Sequence, residues 1–175
     1  MNLRTALVLG RTSNLPTVWT DALAGAVLAG GSATDPRLPA LLHALSLCYL
    51  AGMFLNDAFD RAFDARFRPE RPIPSGRATA AGVFAAGFGM LAAGVVLLGW
   101  TGFAAGGTGW RPLAAGTALA AAIVFYDLHH KNNPWSPVVM GLCRALVYVV
   151  AGCAVAAEAP GGGLLLAATA QPATT

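Results

Sequence analysis

The chain has 175 residues, of which 56% are hydrophobic and only 11% are charged, and its mean hydropathy is +0.60. Because average soluble domains carry about 25% charged residues, this composition excludes a disordered chain and argues against a soluble globule. The net charge of +3 is too small and too scattered for nucleic-acid binding. The composition therefore indicates a membrane protein.

Five apolar stretches meet or approach the roughly 20 residues with which a helix crosses a bilayer. They cover residues 16–33, 38–55, 79–105, 112–126 and 137–157, and a partial sixth covers 161–170. The first is interpreted as a transmembrane helix rather than a cleaved signal peptide, because Asp21 interrupts it and further spans follow. We predict one all-α domain over 1–175, a polytopic transmembrane helix bundle of about five complete spans and a partial sixth.

Positive charge is unevenly divided between the connections. The connection at 56–78 holds five arginines and the one after the fourth stretch holds Lys131, whereas the opposite connections hold only Arg37 and Arg111. The positive-inside rule then places the N-terminus and the 56–78 connection on the cytoplasmic side. We expect an integral protein of the plasma membrane.

Acidic side chains follow the uncharged second stretch at a regular spacing. Asn56, Asp60 and Asp64 lie four residues apart, and Asp57 is three residues before Asp60. On a continuing helix these positions share one face. Hard oxygen ligands of this kind suit Mg²⁺, which keeps several waters and binds substrate phosphates.

A basic segment comes directly after the acids. Arg66, Arg68 and Arg71 carry planar guanidinium groups that match phosphate oxygens. Three prolines then end the helix, and Ser75 or Thr79 is expected to cap the next one. The alternative is a set of solvated surface ion pairs of little energetic value, which the regular spacing disfavours.

Polar residues also accompany the fourth and fifth stretches. Lys131 is a candidate phosphate contact, with a topology-setting lysine as the alternative. We interpret His129 and His130 as polar loop residues, because adjacent residues face different directions. Arg144 lies inside the fifth stretch at a cost of about 2.5–3.5 kcal/mol near a helix centre. It should face an acid partner or a polar cavity, unless it extends to the interface.

The remaining polar residues of the spans receive simpler interpretations. Asp21 is expected to pair with a cation, and His43 to be a buried core histidine. The three cysteines at 48, 143 and 153 lack ligand spacing and are interpreted as small buried hydrophobes.

The run from Asn56 through Asp64 resembles the first aspartate-rich motif of the UbiA-type intramembrane prenyltransferases. Arg68–Gly76 is similar to that family's continuation, and Arg11 and Asn14 match an early Arg and Asn. The segment 126–144 resembles its link between the fourth and fifth helices. The sequence of these segments is most similar to the EboC-like branch of the family. The resemblance covers the whole chain but only the N-terminal half of the family fold.

This resemblance implies a Mg²⁺-dependent transfer of an isoprenyl group from an isoprenyl diphosphate to a lipid-soluble, often aromatic, acceptor. It implies that Asp57, Asp60 and Asp64 are catalytic. Metal binding falls on Asn56, Asp57, Asp60 and Asp64, and substrate binding falls on Asn14, Asn56, Arg68, Arg71 and Lys131. Metal and basic side chains would stabilise the departing diphosphate.

The second aspartate motif of the family has no counterpart in this sequence. We therefore expect half of a UbiA-like fold, either as a fragment or shortened gene product or as a chain that pairs with a second-half subunit or forms a homo-oligomer. The alternative is a non-catalytic isoprenoid-binding or assembly subunit of the membrane. A CDP-alcohol phosphotransferase is disfavoured because its motif needs an Asp-Gly pair, which does not occur here.

Overall fold

The computed structural model describes residues 3–32, 34–104, 106–131 and 133–155, and the regular structure in these ranges is entirely helical. The helices are α1 (Leu3–Gly10), α2 (Leu15–Leu28), α3 (Leu38–Phe59), α4 (Arg61–Phe67), α5 (Ala80–Phe103), α6 (Arg111–His129) and α7 (Ser136–Val155). A 3₁₀ turn, Thr12–Asn14, joins α1 to α2. The predicted all-α class is confirmed.

Four of the described helices, α3, α5, α6 and α7, are long and apolar enough to cross a membrane. They correspond to the second to fifth predicted spans. The first predicted span differs, because α2 has 14 residues and extends only about 21 Å at 1.5 Å per residue. Gly30 takes a left-handed φ of +80° just after α2 and ends it. The partial sixth span at 161–170 lies outside the described residues.

Helix α3 is the centre of the bundle. Half of its membrane span is buried, against 22–28% for the spans of α5, α6 and α7. It packs closely on α5 at Gly94, where an added Cβ would lie 3.0 Å from the Ala44 carbonyl oxygen. Helix α2 packs on α7 in the same way, because a Cβ on Gly25 would lie 2.8 Å from the Tyr148 backbone. Small residues thus bring the helix axes together.

Local sequence signals set the helix starts. Pro16, Pro39 and Pro112 stand in the first turns of α2, α3 and α6, where a missing N–H costs nothing. The Thr79 hydroxyl accepts a hydrogen bond from the Gly82 N–H at 3.2 Å and caps α5. This confirms Thr79, rather than Ser75, as the predicted cap.

The helices alternate in direction and so define two ends of the bundle. The last turn of α3 meets the chain after α6 at one end, where Lys131 Nζ lies 2.9 Å from Asp60 Oδ2. We call this the aspartate end. At the other end, Arg37 Nη1 donates to the Gly106 carbonyl oxygen at 2.7 Å and Arg37 Nη2 to that of Val155 at 3.4 Å. We call this the Arg37 end.

Two predictions about single polar residues need correction. His43 is exposed, and its Nδ1 lies 2.7 Å from the Pro39 carbonyl oxygen of its own helix. It was predicted to be buried, but the buried stripe of α3 runs through Leu41 and Leu45 and leaves His43 outside. Of the cysteines only Cys48 is fully buried, while the thiols at 143 and 153 are half-buried, and all three are free.

Candidate active site at the aspartate end

The predicted acidic face forms across a break in the helix. Helix α3 ends at Phe59, Asp60 stands at the junction, and α4 continues the chain. The spacing of four survives the junction, because the Asp60 N–H donates to the Asn56 carbonyl oxygen at 2.9 Å and the Asp64 N–H to that of Asp60 at 2.9 Å. Asp57, Asp60 and Asp64 are only 4%, 7% and 2% exposed. The three carboxylates therefore share one buried face.

Asp57 is paired with two arginines from different parts of the chain. Arg71 Nη1 lies 2.8 Å from Asp57 Oδ1, and Arg11 Nη2 lies 3.3 Å from the same oxygen. Arg71 belongs to the turns after α4, which are folded by the hydrogen bonds of Ser75 N–H to the Arg71 carbonyl oxygen and of Ala78 N–H to that of Pro72, both at 3.0 Å.

Arg11 reaches Asp57 from an unusual backbone conformation. Its φ of 42° and ψ of 48° lie in the left-handed region, and it is the one non-glycine with a positive φ among the described residues. Such a residue costs about 1 kcal/mol or more and is typical of functional positions. The conformation turns the chain from α1 into α2. The contact between Arg11 and Asp57 was not predicted from the sequence.

Asp60 is paired with the segment after α6. Lys131 Nζ lies 2.9 Å from Asp60 Oδ2 and His130 Nε2 lies 3.3 Å from Asp60 Oδ1. The interpretation of His129 as a loop residue was wrong, because it is the last residue of α6, whereas His130 follows the helix as predicted but has a specific contact that was not predicted. Because α6 extends to His129, His130 lies one turn beyond Tyr126, stacks on its ring at 5.1 Å and is directed at Asp60.

Asp64 and Asp127 hold carboxylate oxygens that no group in the described ranges satisfies. Arg68 Nη1 lies 3.8 Å from Asp64 Oδ1, which is too far for a hydrogen bond. Asn56 Nδ2 donates to Asp127 Oδ1 at 3.3 Å. Asp64 Oδ1 and Asp127 Oδ2 are enclosed and accept no hydrogen bond from the part of the chain that the structure describes. No role was predicted for Asp127, which directly follows the fourth predicted stretch, but α6 extends past it to His129, and an acid within such an apolar helix is a functional signal.

The donor set fits Mg²⁺ in its chemistry. Amide and carboxylate oxygens are the hard ligands this ion prefers, and it usually takes only one or two carboxylates, with water and phosphate oxygens completing its shell. Two enclosed carboxylate oxygens without hydrogen bonds are consistent with this requirement. Within the described ranges no three His, Cys, Asp or Glu side chains converge on one metal position. Basic side chains balance the acids in this arrangement.

An apolar groove of about 570 Å³ adjoins the acidic face. Its walls come mainly from α2, α3, α6 and α7, and include Val18, Leu45 and Ile123. Asp127 lines the groove and also contacts Asn56, so the groove meets the acidic face at this side chain. Asn14 lies at the groove but makes no hydrogen bond to the aspartates among the described residues.

A second polar cluster lies farther along the groove. Arg144 Nε donates to Asp21 Oδ2 at 3.0 Å, and the Tyr148 hydroxyl donates to Asp21 Oδ1 at 2.9 Å. Arg144 and Asp21 both line the groove. The predictions that Arg144 has an acid partner and that Asp21 pairs with a cation are confirmed. Tyr148 was not predicted.

These features define a class: a polytopic helical membrane protein with a buried acidic face, paired cations and an adjoining apolar groove at one end. Residues 18–175 match the model of the UbiA prenyltransferase family. The chain belongs to that family.

Relatives and a solved structure agree with this assignment. A digeranylgeranylglyceryl phosphate synthase of Methanoregula boonei is 29% identical over 137 residues, which are 77% of this chain and 46% of that protein. One from Natronomonas pharaonis is 34% identical over 128 residues, 73% of this chain and 42% of its own length. A solved structure concerning this synthase in membranes matches with a TM-score of 0.76 at 22% identity, over 87% of this chain and 53% of that one. The chain thus spans about half the length of these proteins.

Proposed function

We propose that the aspartate end binds an isoprenyl diphosphate and takes part in transferring its isoprenyl group to an acceptor. The observation that carries this proposal is the buried face of Asp57, Asp60 and Asp64, paired with cations beside an apolar groove. An isoprenyl diphosphate has the same division, with a charged head and an apolar chain.

The cations of the site would bind the diphosphate head. Lys131 is 39% exposed and Arg68 is 48% exposed at the side chain, so both keep donors that face outward. Arg71 is more buried and is held by Asp57. A diphosphate offers these groups stronger charge-assisted hydrogen bonds than water does, and Asn14 adds an amide at the groove.

The acids have the complementary role. Asn56, Asp57, Asp60 and Asp64 would hold Mg²⁺, which when bound supplies positive charge beside the diphosphate oxygens. The same carboxylates orient Arg71 and Lys131. An acidic face of this kind keeps the basic side chains in place before the substrate arrives, so less ordering is needed on binding.

The proposed reaction breaks the carbon–oxygen bond between the isoprenyl group and its diphosphate. The leaving diphosphate takes the electron pair, and Arg68, Arg71 and Lys131 stabilise its charge. The allylic carbon forms a bond to an acceptor oxygen or ring carbon, and the acceptor loses a proton. Apolar walls of the groove would hold the isoprenyl chain and keep water from the reacting carbon.

The relatives point to the acceptor class. Their name describes a glyceryl phosphate that carries two geranylgeranyl groups. We therefore propose a lipid-like glyceryl phosphate acceptor in preference to an aromatic ring. We also propose that the aspartate end lies on the cytoplasmic side of the plasma membrane, and the arginine-rich connection supports this orientation through the positive-inside rule.

The test is a titration of the purified 175-residue chain in detergent with geranylgeranyl diphosphate, with and without Mg²⁺. We expect Mg²⁺-dependent binding, weakened at least tenfold by Asp60→Ala. Asp35→Ala removes a carboxylate at the Arg37 end and is the matched control, with unchanged affinity expected. Wild-type chain that does not bind, or equal binding by Asp60→Ala, contradicts the proposal.

Turnover is measured in the same samples with geranylgeranylglyceryl phosphate and, separately, 4-hydroxybenzoate. Product from the former alone supports the glyceryl phosphate acceptor, and product from the latter contradicts it. Binding without product favours the alternative, an isoprenoid-binding or assembly subunit. Activity that appears only on adding a second-half subunit, or only in a homo-oligomer, assigns the transfer to that assembly.

A further inference from the structure

We infer that Arg144, held by Asp21 and Tyr148, is an anion-binding site for the head group of the acceptor. The ligand class is a single phosphate or carboxylate attached to an apolar chain. The identification of the ligand as the acceptor rests on the proposed function, but the anion-binding site itself is argued from its own geometry.

The cluster lies inside helices whose surroundings are apolar. Asp21 is on the seventh residue of α2 and Arg144 on the ninth of α7. A charged residue at such a depth is expensive and as a rule faces a cavity with a task to perform. Both residues line the groove.

The hydrogen bonds in the cluster are divided unequally. Asp21 is satisfied, since Arg144 Nε donates to one carboxylate oxygen and the Tyr148 hydroxyl to the other. Arg144 uses only Nε, and its terminal nitrogens Nη1 and Nη2 have no hydrogen-bond partner among the described residues. Its side chain is 61% exposed, against 15% for Asp21. The carboxylate thus fixes the guanidinium, and the terminal nitrogens stay free for a ligand.

A purely structural ion pair would explain less of this. Helices α2 and α7 already pack tightly at Gly25, whose added Cβ would lie 2.8 Å from the Tyr148 backbone and 3.2 Å from the Ala151 Cβ. Ala22 and Ala151 are completely buried. An ion pair whose only task was to join these helices would not need a groove-lining arginine that is 61% exposed.

The position suits the second substrate rather than the diphosphate. The basic side chains along the groove and the acidic face form two groups. One group contacts Asp57, Asp60 or Asp64 and consists of Arg11, Arg68, Arg71 and Lys131. Arg144 instead contacts Asp21. Two separate anion sites on one groove would keep two charged head groups apart while their apolar parts meet. Two terminal N–H groups of one guanidinium match a phosphate or carboxylate bidentately.

The test compares variants that break the same ion pair from opposite sides. The probe is radiolabelled geranylgeranylglyceryl phosphate, bound to the full chain in detergent. Arg144→Met should weaken its binding at least tenfold, whereas Asp21→Asn should bind as well as the wild type or better, because the cation remains. A structural role predicts equal losses in both variants, and that result would overturn the inference.

Further variants keep the test valid if Arg144→Met folds poorly. The double variant Asp21→Asn with Arg144→Met leaves no unpaired charge and should still lose binding, and Arg144→Lys should retain part of it. Arg111→Met, an exposed arginine at the other end of the bundle, is the matched control and should bind normally. Retained binding by the double variant contradicts the assignment.

Probe chemistry separates the sources of the anion. Neutral geranylgeranylglycerol should bind at least tenfold more weakly than its phosphate, and equal binding of the two would refute an anion site. Competition by phosphatidic acid at equal concentration would assign the site to membrane lipid and overturn the acceptor role. If geranylgeranyl diphosphate fails to bind while the Arg144-dependent anion binding persists, the proposed function fails and the site stands.

Discussion

The aspartate end and the Arg37 end both carry arginine–carboxylate pairs, yet the pairs differ in what they leave unsatisfied. At the Arg37 end, Asp35 receives hydrogen bonds from Arg37 Nε at 3.0 Å and Nη2 at 2.7 Å. Arg37 also donates to the carbonyl oxygens of Gly106 and Val155. Its donors are used within the protein, and it connects three separate segments.

The aspartate end is open by comparison. Arg68 is within 4 Å of Asp64 but makes no hydrogen bond to it, and Asp64 Oδ1 remains without a hydrogen bond among the described residues. Arg11, Arg68 and Lys131 are each between 39% and 48% exposed at the side chain, while Arg37 is 15% exposed. An ion pair satisfied within the fold stabilises it. Charges held in place but unsatisfied are available to a ligand.

The largest expected effect of this difference is on ligand binding at Arg68. Arg68→Met should weaken the binding of geranylgeranyl diphosphate by about 10- to 100-fold, the range for a lost hydrogen bond to a charged group. The free energy of unfolding should change by less than about 0.5 kcal/mol, because the contact between Arg68 and Asp64 is long and the Arg68 side chain is half-exposed.

Arg66→Met is the matched control for Arg68→Met, since Arg66 is an exposed arginine two residues earlier, in the last turn of α4. We expect it to alter neither quantity. The measurements are an isothermal titration and a thermal unfolding curve of each variant in detergent. Equal binding losses in the two variants would show a general effect of charge and break the comparison.

Arg37→Met should have the opposite profile. It removes the partner of Asp35 and two donors to backbone carbonyl groups, and we expect a loss of about 2 kcal/mol in unfolding free energy. Binding of geranylgeranyl diphosphate should be unchanged at a temperature where the variant is folded. A variant with an unchanged unfolding free energy, whether or not it binds geranylgeranyl diphosphate, would contradict the structural role of this end.

Local patterns in the sequence predicted much of the fold. Helices α3, α5, α6 and α7 follow from apolar length, and the shared face of Asp57, Asp60 and Asp64 follows from helical spacing, both of which are properties of one segment. Two errors had local signals as well. Gly30 marks the end of α2, and the apolar stripe of α3 places His43 outside the core.

The pairing of the site could not be predicted in this way. Asp60 meets His130, Asn56 meets Asp127, and Tyr148 meets Asp21, across separations of 70 or more positions in the sequence. Such contacts depend on how the helices pack, which hydropathy does not specify. Charge alone indicated that Asp21 and Arg144 needed partners, because an isolated charge in a span is costly.

A smaller effect is expected from relieving the backbone strain at Arg11. Arg11→Gly removes the left-handed strain, worth about 1 kcal/mol, and also the contact with Asp57. Stability should therefore stay equal or rise, while the affinity for geranylgeranyl diphosphate falls by about fivefold. Arg11→Lys keeps the charge and the strain and is the control. A variant that binds normally would remove Arg11 from the site.

The smallest effect concerns the pH dependence of the Arg37 end. Hydrogen bonding from Arg37 lowers the pKa of Asp35 below its ordinary value of 3.8, so the ionised carboxylate stabilises the fold above about pH 4. This contribution is lost as the pH falls through the lowered pKa. Asp35→Asn should therefore cost about 1 kcal/mol at pH 7.

The difference between Asp35→Asn and the wild type should stay constant from pH 7 to pH 5 and shrink only as the pH falls below 3.8 and through the lowered pKa of Asp35. Thermal unfolding curves of both proteins across this range measure it. A charge-independent role for Asp35, such as the backbone hydrogen bond it accepts from the Arg37 N–H at 2.8 Å, would be largely kept by asparagine and would not depend on pH. A difference that does not shrink at all as the pH falls below 3.8 would therefore show that shape, and not the ion pair, holds the Arg37 end together.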